Sequence, residues 1–233
     1  PLDGYGIQIE GFEHRQMMNM MNYNYPYYRD LVENLGFTKV VDFVSSYIQP
    51  QDFQLPLKVR KAAQIAKKRG SFTVVDFKNK RELKEWAGRI GQAYNKAFVD
   101  NWEYYPLSQN EIDFVVKNVM TIVDPDLMKI ITKNDEVVGF VFPFPDVSAA
   151  MQKNNGKLGP IAIIKLLLEI KRTNWISFNG VGILPEYQGL GGNAIMYAEL
   201  EKSMHANDQF VHAELTQVAE TAEQMRKDLK NLG

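Results

Sequence analysis

The stretch VGILPEYQGLGGNAIMYAELEKSM, residues 181–204, decides the fold. An apolar strand closes at Pro185, a loop of Gln188-Gly189-Leu190-Gly191-Gly192-Asn193 follows, and a helix begins at once. Glycine adopts backbone conformations that other residues avoid, so such a loop can turn successive N–H groups into one concavity. The start of the helix adds about half a positive charge at the same spot. A diphosphate suits that geometry, although three glycines also serve simply to close a tight strand-to-helix turn. The loop lacks Gly-Lys-Ser/Thr and its glycines do not have the Gly-x-Gly-x-x-Gly spacing, which excludes the two common nucleotide-binding loops.

Working outward, WISFNGVGIL (175–184) reads as the strand entering the loop, 210–216 as the strand after the helix, and 221–232 as a closing helix. Upstream, 72–77 reads as a strand and 80–99 as a helix with Leu83, Trp86, Ile90, Ala93, Tyr94 and Ala97 at helical spacing. Ser108 with Glu111 forms a capping box that starts another helix, and 127–145 reads as a hairpin turning at 133–136. Residues 5–12 alternate like a half-buried strand, and 39–48 reads as another strand after a helix that closes on Gly36. Residues 29–36 echo 227–233 at the end of the chain. Between residues 49 and 70, two prolines lead into a helix carrying Lys58, Arg60, Lys61, Lys67, Lys68 and Arg69. A solvated face is the plainer reading of that run, and a phosphate or tRNA contact the sharper one.

The 233 residues are 45% hydrophobic and 24% charged, ordinary values that exclude disordered and fibrous classes and allow a sizeable core. Lys+Arg 27 against Asp+Glu 28 leaves no broad positive field, which weighs against nucleic acid as a partner. With no cysteine there is no thiolate nucleophile and no disulfide, compatible with the expected cytoplasmic location. His14, His205 and His212 do not have ligand spacing, so no metal is expected. The most apolar window, 158–170, is interrupted by Lys165 and Glu169 and is too short for a span of ~20 residues, so no membrane partner is expected. A chain that opens on Pro and lacks a signal-peptide pattern reads as a fragment.

The 181–204 segment resembles motif A of the GCN5-related N-acetyltransferases, whose loop reads Gln/Arg-x-x-Gly-x-Gly/Ala after a strand ending in Val-x-Pro. Here Ile183-Leu184-Pro185 supplies the strand end and Gln188-Gly189-Leu190-Gly191 the loop, with Asn193 where the family has Gly or Ala. Residues 101–111 and 185–192 are also similar to an uncharacterised tandem-domain subgroup, in which a segment like residues 8–37 ends a first domain. The resemblance implies an α/β (α+β) fold with a mixed, mostly antiparallel splayed sheet flanked by helices. It implies the tail of a first domain at 1–50, a linker and helix at 51–70, and an acyltransferase domain at 71–233.

The resemblance further implies acetyl-CoA or another acyl-CoA as co-substrate, its pyrophosphate on the amides of Gln188, Gly189, Leu190, Gly191, Gly192 and Asn193. The pantetheine arm would pair near Gly182, Ile183 and Leu184, with an N–H near Ile183 for the thioester oxygen, and the acceptor would be a small-molecule or peptide amine. The usual acidic Tyr is replaced by Leu229, and by Val32 in the first tail, while Thr221-Ala222 stands where an Asn is common. Glu214 and Asn179 are therefore the catalytic candidates, with Tyr104 and Tyr105 as possible walls of a substrate cleft. The alternatives are an inactive acyl-CoA-binding or scaffold module, and a tRNA-dependent aminoacyltransferase-like protein resting on the basic helix at 58–69. The segment with Met17, Met18, Met20, Met21, Tyr23, Tyr25, Tyr27 and Tyr28 is expected to be buried packing, and His212 a strand residue with a satisfied hydrogen bond.

Overall fold

The computed structural model describes residues 6–15, 21–70, 72–102, 104–157 and 159–233. In chain order the elements are α1 (Tyr28–Asn34), β1 (Phe43–Ile48), α2 (Leu57–Lys68), β2 (Thr73–Val75), α3 (Lys80–Phe98) and α4 (Gln109–Ile122). They continue with β3 (Lys129–Lys133), β4 (Glu136–Pro145), α5 (Ser148–Lys153), α6 (Pro160–Ile170), β5 (Trp175–Ile183), α7 (Gly192–His205), β6 (His212–Ala219) and α8 (Glu223–Leu232). Local chemistry sets several of these boundaries. The Asn79 side chain accepts from the Arg81 and Glu82 amides at the start of α3, and Ser108 with Glu111 closes the expected capping box at the start of α4. Asn134 and Asp135 both have positive φ, which gives the β3–β4 hairpin a two-residue turn.

The strands form one sheet in the order β1-β6-β5-β4-β3-β2, antiparallel throughout except for β5 beside β6. This is the splayed, mostly antiparallel sheet expected from the sequence. Phe140, Ile130, Ile131, Val138, Ile176 and Ile195 are fully buried where the two helical layers meet the sheet. α3 lies on one face against β4 and β5, while α7 lies against β3 and β4 on the other, with α2 packed on it.

Two expectations change. Of the strand expected at 5–12, the described part is irregular. There the Asn24 carboxamide takes the Gln8 N–H at 2.6 Å and donates to the Gln8 carbonyl at 3.0 Å, so one side chain stands in for a strand partner and no ladder follows. Residues 43–48, within the strand read at 39–48, pair with β6 at the edge of the sheet. Tyr23, Tyr25, Tyr27 and Tyr28 contact one another ring to ring in sequence, with Tyr25 and Tyr27 stacked, but stay exposed instead of entering the core. Met17, Met18 and Met20 lie outside the described residues.

The centre of β4 tests how tightly these layers meet. A methyl on Gly139 would stand 2.8 Å from Ile183 Cγ1 and 2.9 Å from Ile131 Cγ1, both side chains buried. Gly139→Ala should therefore lower the stability measured in urea by about 1–3 kcal/mol without changing the slope of the transition.

Candidate active site

β5 and β6 stay together only over Trp175–Phe178 and His212–Leu215. Beyond that point β5 carries an extra residue. Val181 opposes Val141 and Phe178 opposes Pro143, so Asn179 and Gly180 share the single β4 residue Phe142. A bulge of this kind bends its strand and increases the local twist. Gly180 sits at φ +84, and a methyl there would meet Phe142 at 3.2 Å and Tyr94 at 3.4 Å. The two strands consequently diverge, and a cleft of about 450 Å3 opens between them. Its lining includes Asn179, Gly182, Ile183, Gln188, Leu215 and Thr216.

The main-chain pattern along β5 decides which groups face this cleft. The Leu184 N–H donates to the Val138 carbonyl at 2.9 Å, so the Leu184 amide belongs to the sheet and is not available to a ligand as expected. Alternation along an antiparallel pair then turns the N–H groups of Ile183 and Val181 away from β4, toward the gap.

The mouth of the cleft is the glycine loop. After a single turn of 3-10 helix at Pro185–Tyr187, Gly189 and Gly191 both adopt positive φ, and α7 starts at Gly192 without a side-chain cap. The first backbone bond of the helix runs from the Ile195 N–H to the Gly191 carbonyl, and among the described residues no side chain caps the loop amides before it. The three glycines do different things. Gly189 has open space around it, a methyl on Gly191 would come within 2.8 Å of Ala66 Cβ on α2, and one on Gly192 within 2.9 Å of Ile131 and Ile183. Gly191 and Gly192 thus serve packing as well as turn geometry, whereas nothing crowds Gly189.

Asn193 explains the departure from the motif. Its side chain donates to Asp228 on α8, which also accepts from the Tyr197 hydroxyl at 3.2 Å and from Gln224 at 2.9 Å. The carboxamide ties α7 to α8 instead of reaching toward a ligand. Burial raises the Tyr197 hydroxyl well above the usual phenol range, with the Asp228 charge adding to the shift.

Inside the cleft, Asn179 Oδ1 accepts from Ser177 Oγ at 3.3 Å and from Thr216 Oγ1 at 3.4 Å. With the oxygen so occupied, the amide NH2 is the end left for a ligand, making Asn179 a donor. Glu214 does not line the cleft. It pairs in register with Ser177 and Tyr47, and its electrostatic neighbours are Arg15, Asp146 and His14. Arg15 forms an ion pair with the buried Asp146 and lies 4.6 Å over the Trp175 ring. Burial raises the Glu214 carboxyl, opposed by Arg15, reinforced by Asp146 and opposed again by His14. Beside this group His212 bonds the Tyr47 hydroxyl at 2.7 Å and stacks on Trp175, a satisfied strand histidine as expected.

Of the aromatic wall of the cleft, the sequence pointed to Tyr104 and missed Tyr94 and Phe98. Tyr94 and Phe98 on α3 pack on Phe140 and Phe142 of β4, and Tyr104 closes the group. Tyr104 donates to Asn95 Oδ1 at 2.6 Å, and burial, with Tyr94 adding, pushes its hydroxyl up to about 12. Tyr105 is exposed and does not line the cleft. The helical i, i+4 spacing of Tyr94 and Phe98 was visible, but their partners on β4 were not.

No family model matches the chain. Protein YghO of Escherichia coli (strain K12) is 23% identical over 233 residues, spanning 98% of this chain and 59% of that protein. The bacterial ceramide synthase of Caulobacter vibrioides (strain NA1000 / CB15N) is 26% identical over 168 residues, 71% of this chain and 42% of that protein. The chain therefore spans well under two thirds of the length of either relative. Among solved structures, a GCN5-related N-acetyltransferase from Sphaerobacter thermophilus superposes with a TM-score of 0.50 at 14% identity, over 83% of this chain and 48% of that one. The GCN5-related glucosamine N-acetyltransferase region of a fungal multi-domain GH3 beta-N-acetylglucosaminidase gives 0.51 at 13% identity, over 85% of this chain and 21% of that one. The fold is that of the GCN5-related N-acetyltransferases. In this GCN5-related fold the parted β5 and β6 and the glycine loop at the start of α7 are the elements that the sequence picked out.

Glu214 gives a test of the polar group beside the cleft. A carboxyl whose pKa is raised in the folded state holds its proton more tightly than the unfolded chain does, so stability falls as pH rises from about 4.5 through the raised value. Glu214→Gln should remove that fall, so thermal melts of the variant will vary less with pH across this window than those of the parent chain.

Proposed function

We propose that the chain binds an acyl-CoA in the cleft between β5 and β6 and transfers the acyl group to an amine. The observation that carries this reading is the uncapped helix start at the mouth of that cleft. Main-chain N–H groups from Gly189 to Asn193 and the positive end of α7 together offer a site for a diphosphate. A cleft of about 450 Å3 leads inward from it, past an Ile183 N–H turned toward the gap. The fold is consistent with this reading.

In this proposal the amine attacks the thioester carbonyl near Asn179, where the strands part. The Ile183 N–H, with the Asn179 amide NH2 as second donor, stabilises the oxygen as it gains charge. Nitrogen gains the acyl group, the carbon–sulfur bond breaks, the thiolate takes a proton, and the amine loses one. Tyr104 and Tyr197 both keep their protons at neutral pH, but both hydroxyls already donate to the protein, to Asn95 and Asp228. The proton taken by the leaving sulfur then comes from solvent. Holding both reactants in line is the main contribution of the protein.

The name of the Caulobacter relative supports a fatty acyl group and a long-chain amino alcohol, since a ceramide is the amide of those two. The two engaged tyrosine hydroxyls favour one alternative, an acyl-CoA-binding module without turnover. Tight CoA binding with no thiol release across a panel of amines, sphingoid bases included, would single that alternative out.

Gly189 gives the test of the site. Its positive φ is one that Asp and Asn tolerate, and nothing crowds the position. At 100 times its dissociation constant an acyl-CoA should stabilise the chain by ~2.7 kcal/mol, read as a thermal shift. Gly189→Asp places a carboxylate among the loop amides and should abolish the shift, while Gly189→Asn, of the same size and uncharged, should keep most of it. Equal shifts in the two variants, or none in the parent chain with acyl-CoAs from acetyl to palmitoyl, would overturn the pyrophosphate site.

A further inference from the structure

The excursion between β4 and β5 exposes far more aliphatic surface than a soluble helix normally does. α6 reads PIAIIKLLLEI, and Ile161, Ile163, Ile164, Leu167 and Leu168 are 71%, 48%, 59%, 45% and 46% exposed. At about 100° per residue these five side chains sweep an arc of roughly 160°, while the buried Ala162 and the partly buried Leu166 and Ile170 fill the arc facing the protein. A helix that is apolar all round is at home in a core or in lipid. α6 is in no core. It is also only 11 residues long, and among the described residues no helix is long and apolar enough to cross a membrane.

Charge surrounds this surface asymmetrically. From Ser148 to Thr173 there are five cations, Lys153, Lys157, Lys165, Lys171 and Arg172, against one acid, Glu169, in a chain whose formal charge is -1. All five cationic side chains are exposed. The excursion is also fixed in place. Asp146 takes the Ser148 amide at 3.0 Å where α5 begins, and Gln209 donates to the Ile170 and Thr173 carbonyls at 2.8 and 3.0 Å where α6 ends. The apolar ridge is thus held at the β5 end that starts with Trp175, away from the glycine loop that follows Ile183.

We propose that α6 lies in the surface of an anionic phospholipid bilayer, with its five outward aliphatic side chains among the acyl chains and the lysines and Arg172 on the headgroups. An exposed aliphatic face of this kind can bury itself at the boundary of headgroups and acyl chains, and the cations clustered around it supply the preference for anionic lipid. A second copy of the chain is the poorer occupant, because a two-fold pairing of this patch sets its cations against each other. The inference departs from the sequence expectation of no membrane partner and does not depend on the acyl-transfer chemistry.

The 233-residue chain should pellet with large vesicles of equal parts phosphatidylcholine and phosphatidylglycerol, and much less with phosphatidylcholine alone. Added salt should weaken the binding. Ile164→Asp with Leu168→Asp changes only exposed positions, so the fold should survive, as checked by an unchanged melting temperature, while the partition coefficient drops by roughly tenfold or more. Lys165→Glu with Lys171→Glu should remove the preference for anionic vesicles and leave the fold intact. Three results would overturn the proposal: no pelleting of the parent chain, equal pelleting of parent and aspartate variant, or a dimer in sedimentation velocity that the aspartate pair dissolves.

Discussion

The separation of β5 from β6 is the constraint on which the rest of the structure depends. Parallel pairing lasts for four residue pairs and then stops, because Asn179 and Gly180 share one opposing residue on β4. Phe142 and Tyr94 hold the bulge from below, where only a glycine at φ +84 allows the backbone to pass so close. Without the bulge, β5 would continue beside β6, its outward amides would be used in the ladder, and the glycine loop would open onto a closed sheet. With it, the Ile183 amide is turned toward a gap walled on one side by Tyr94, Phe98 and Tyr104, which Phe140 and Phe142 back from within the sheet.

Polar groups sit where that gap narrows. Ser177 and Thr216 both bond Asn179, and in register beside Ser177 stands Glu214, half-buried and next to the Arg15–Asp146 pair. The hydroxyls fix the carboxamide, and Arg15 gives the buried Asp146 an ion-pair partner in a place where an isolated carboxylate would be costly. Glu214 thus belongs to the supports of the cleft and not to its surface.

Much of this was legible in the sequence, for identifiable reasons. The hairpin, the capping box at Ser108 and the strand-loop-helix at 181–204 are set by residues close together in the chain, and local chemistry of that kind can be read directly. The alternation at 5–12 was equally visible, but a strand needs a partner, and the partner is one carboxamide at Asn24. The same limit applies to Asn193, whose role comes from Asp228 thirty-five residues on, and to Glu214, whose face could not be chosen until β1 was known to pair with β6. The chemistry of α2 was read from its cations. Arg60 and Lys67 turn out to pair with Glu201 and Glu199 on α7, which favours the plainer reading of a helix face over a phosphate contact.

It is the alanines of α2 that matter at the site. Ala63 and Ala66 are buried, and Ala66 lies so near Gly191 that the loop is braced from outside by a neighbouring helix. For the diphosphate proposed above, a loop braced in this way would have few alternative shapes to give up. Association would then lose less chain entropy, and more of the contact energy would be retained as affinity.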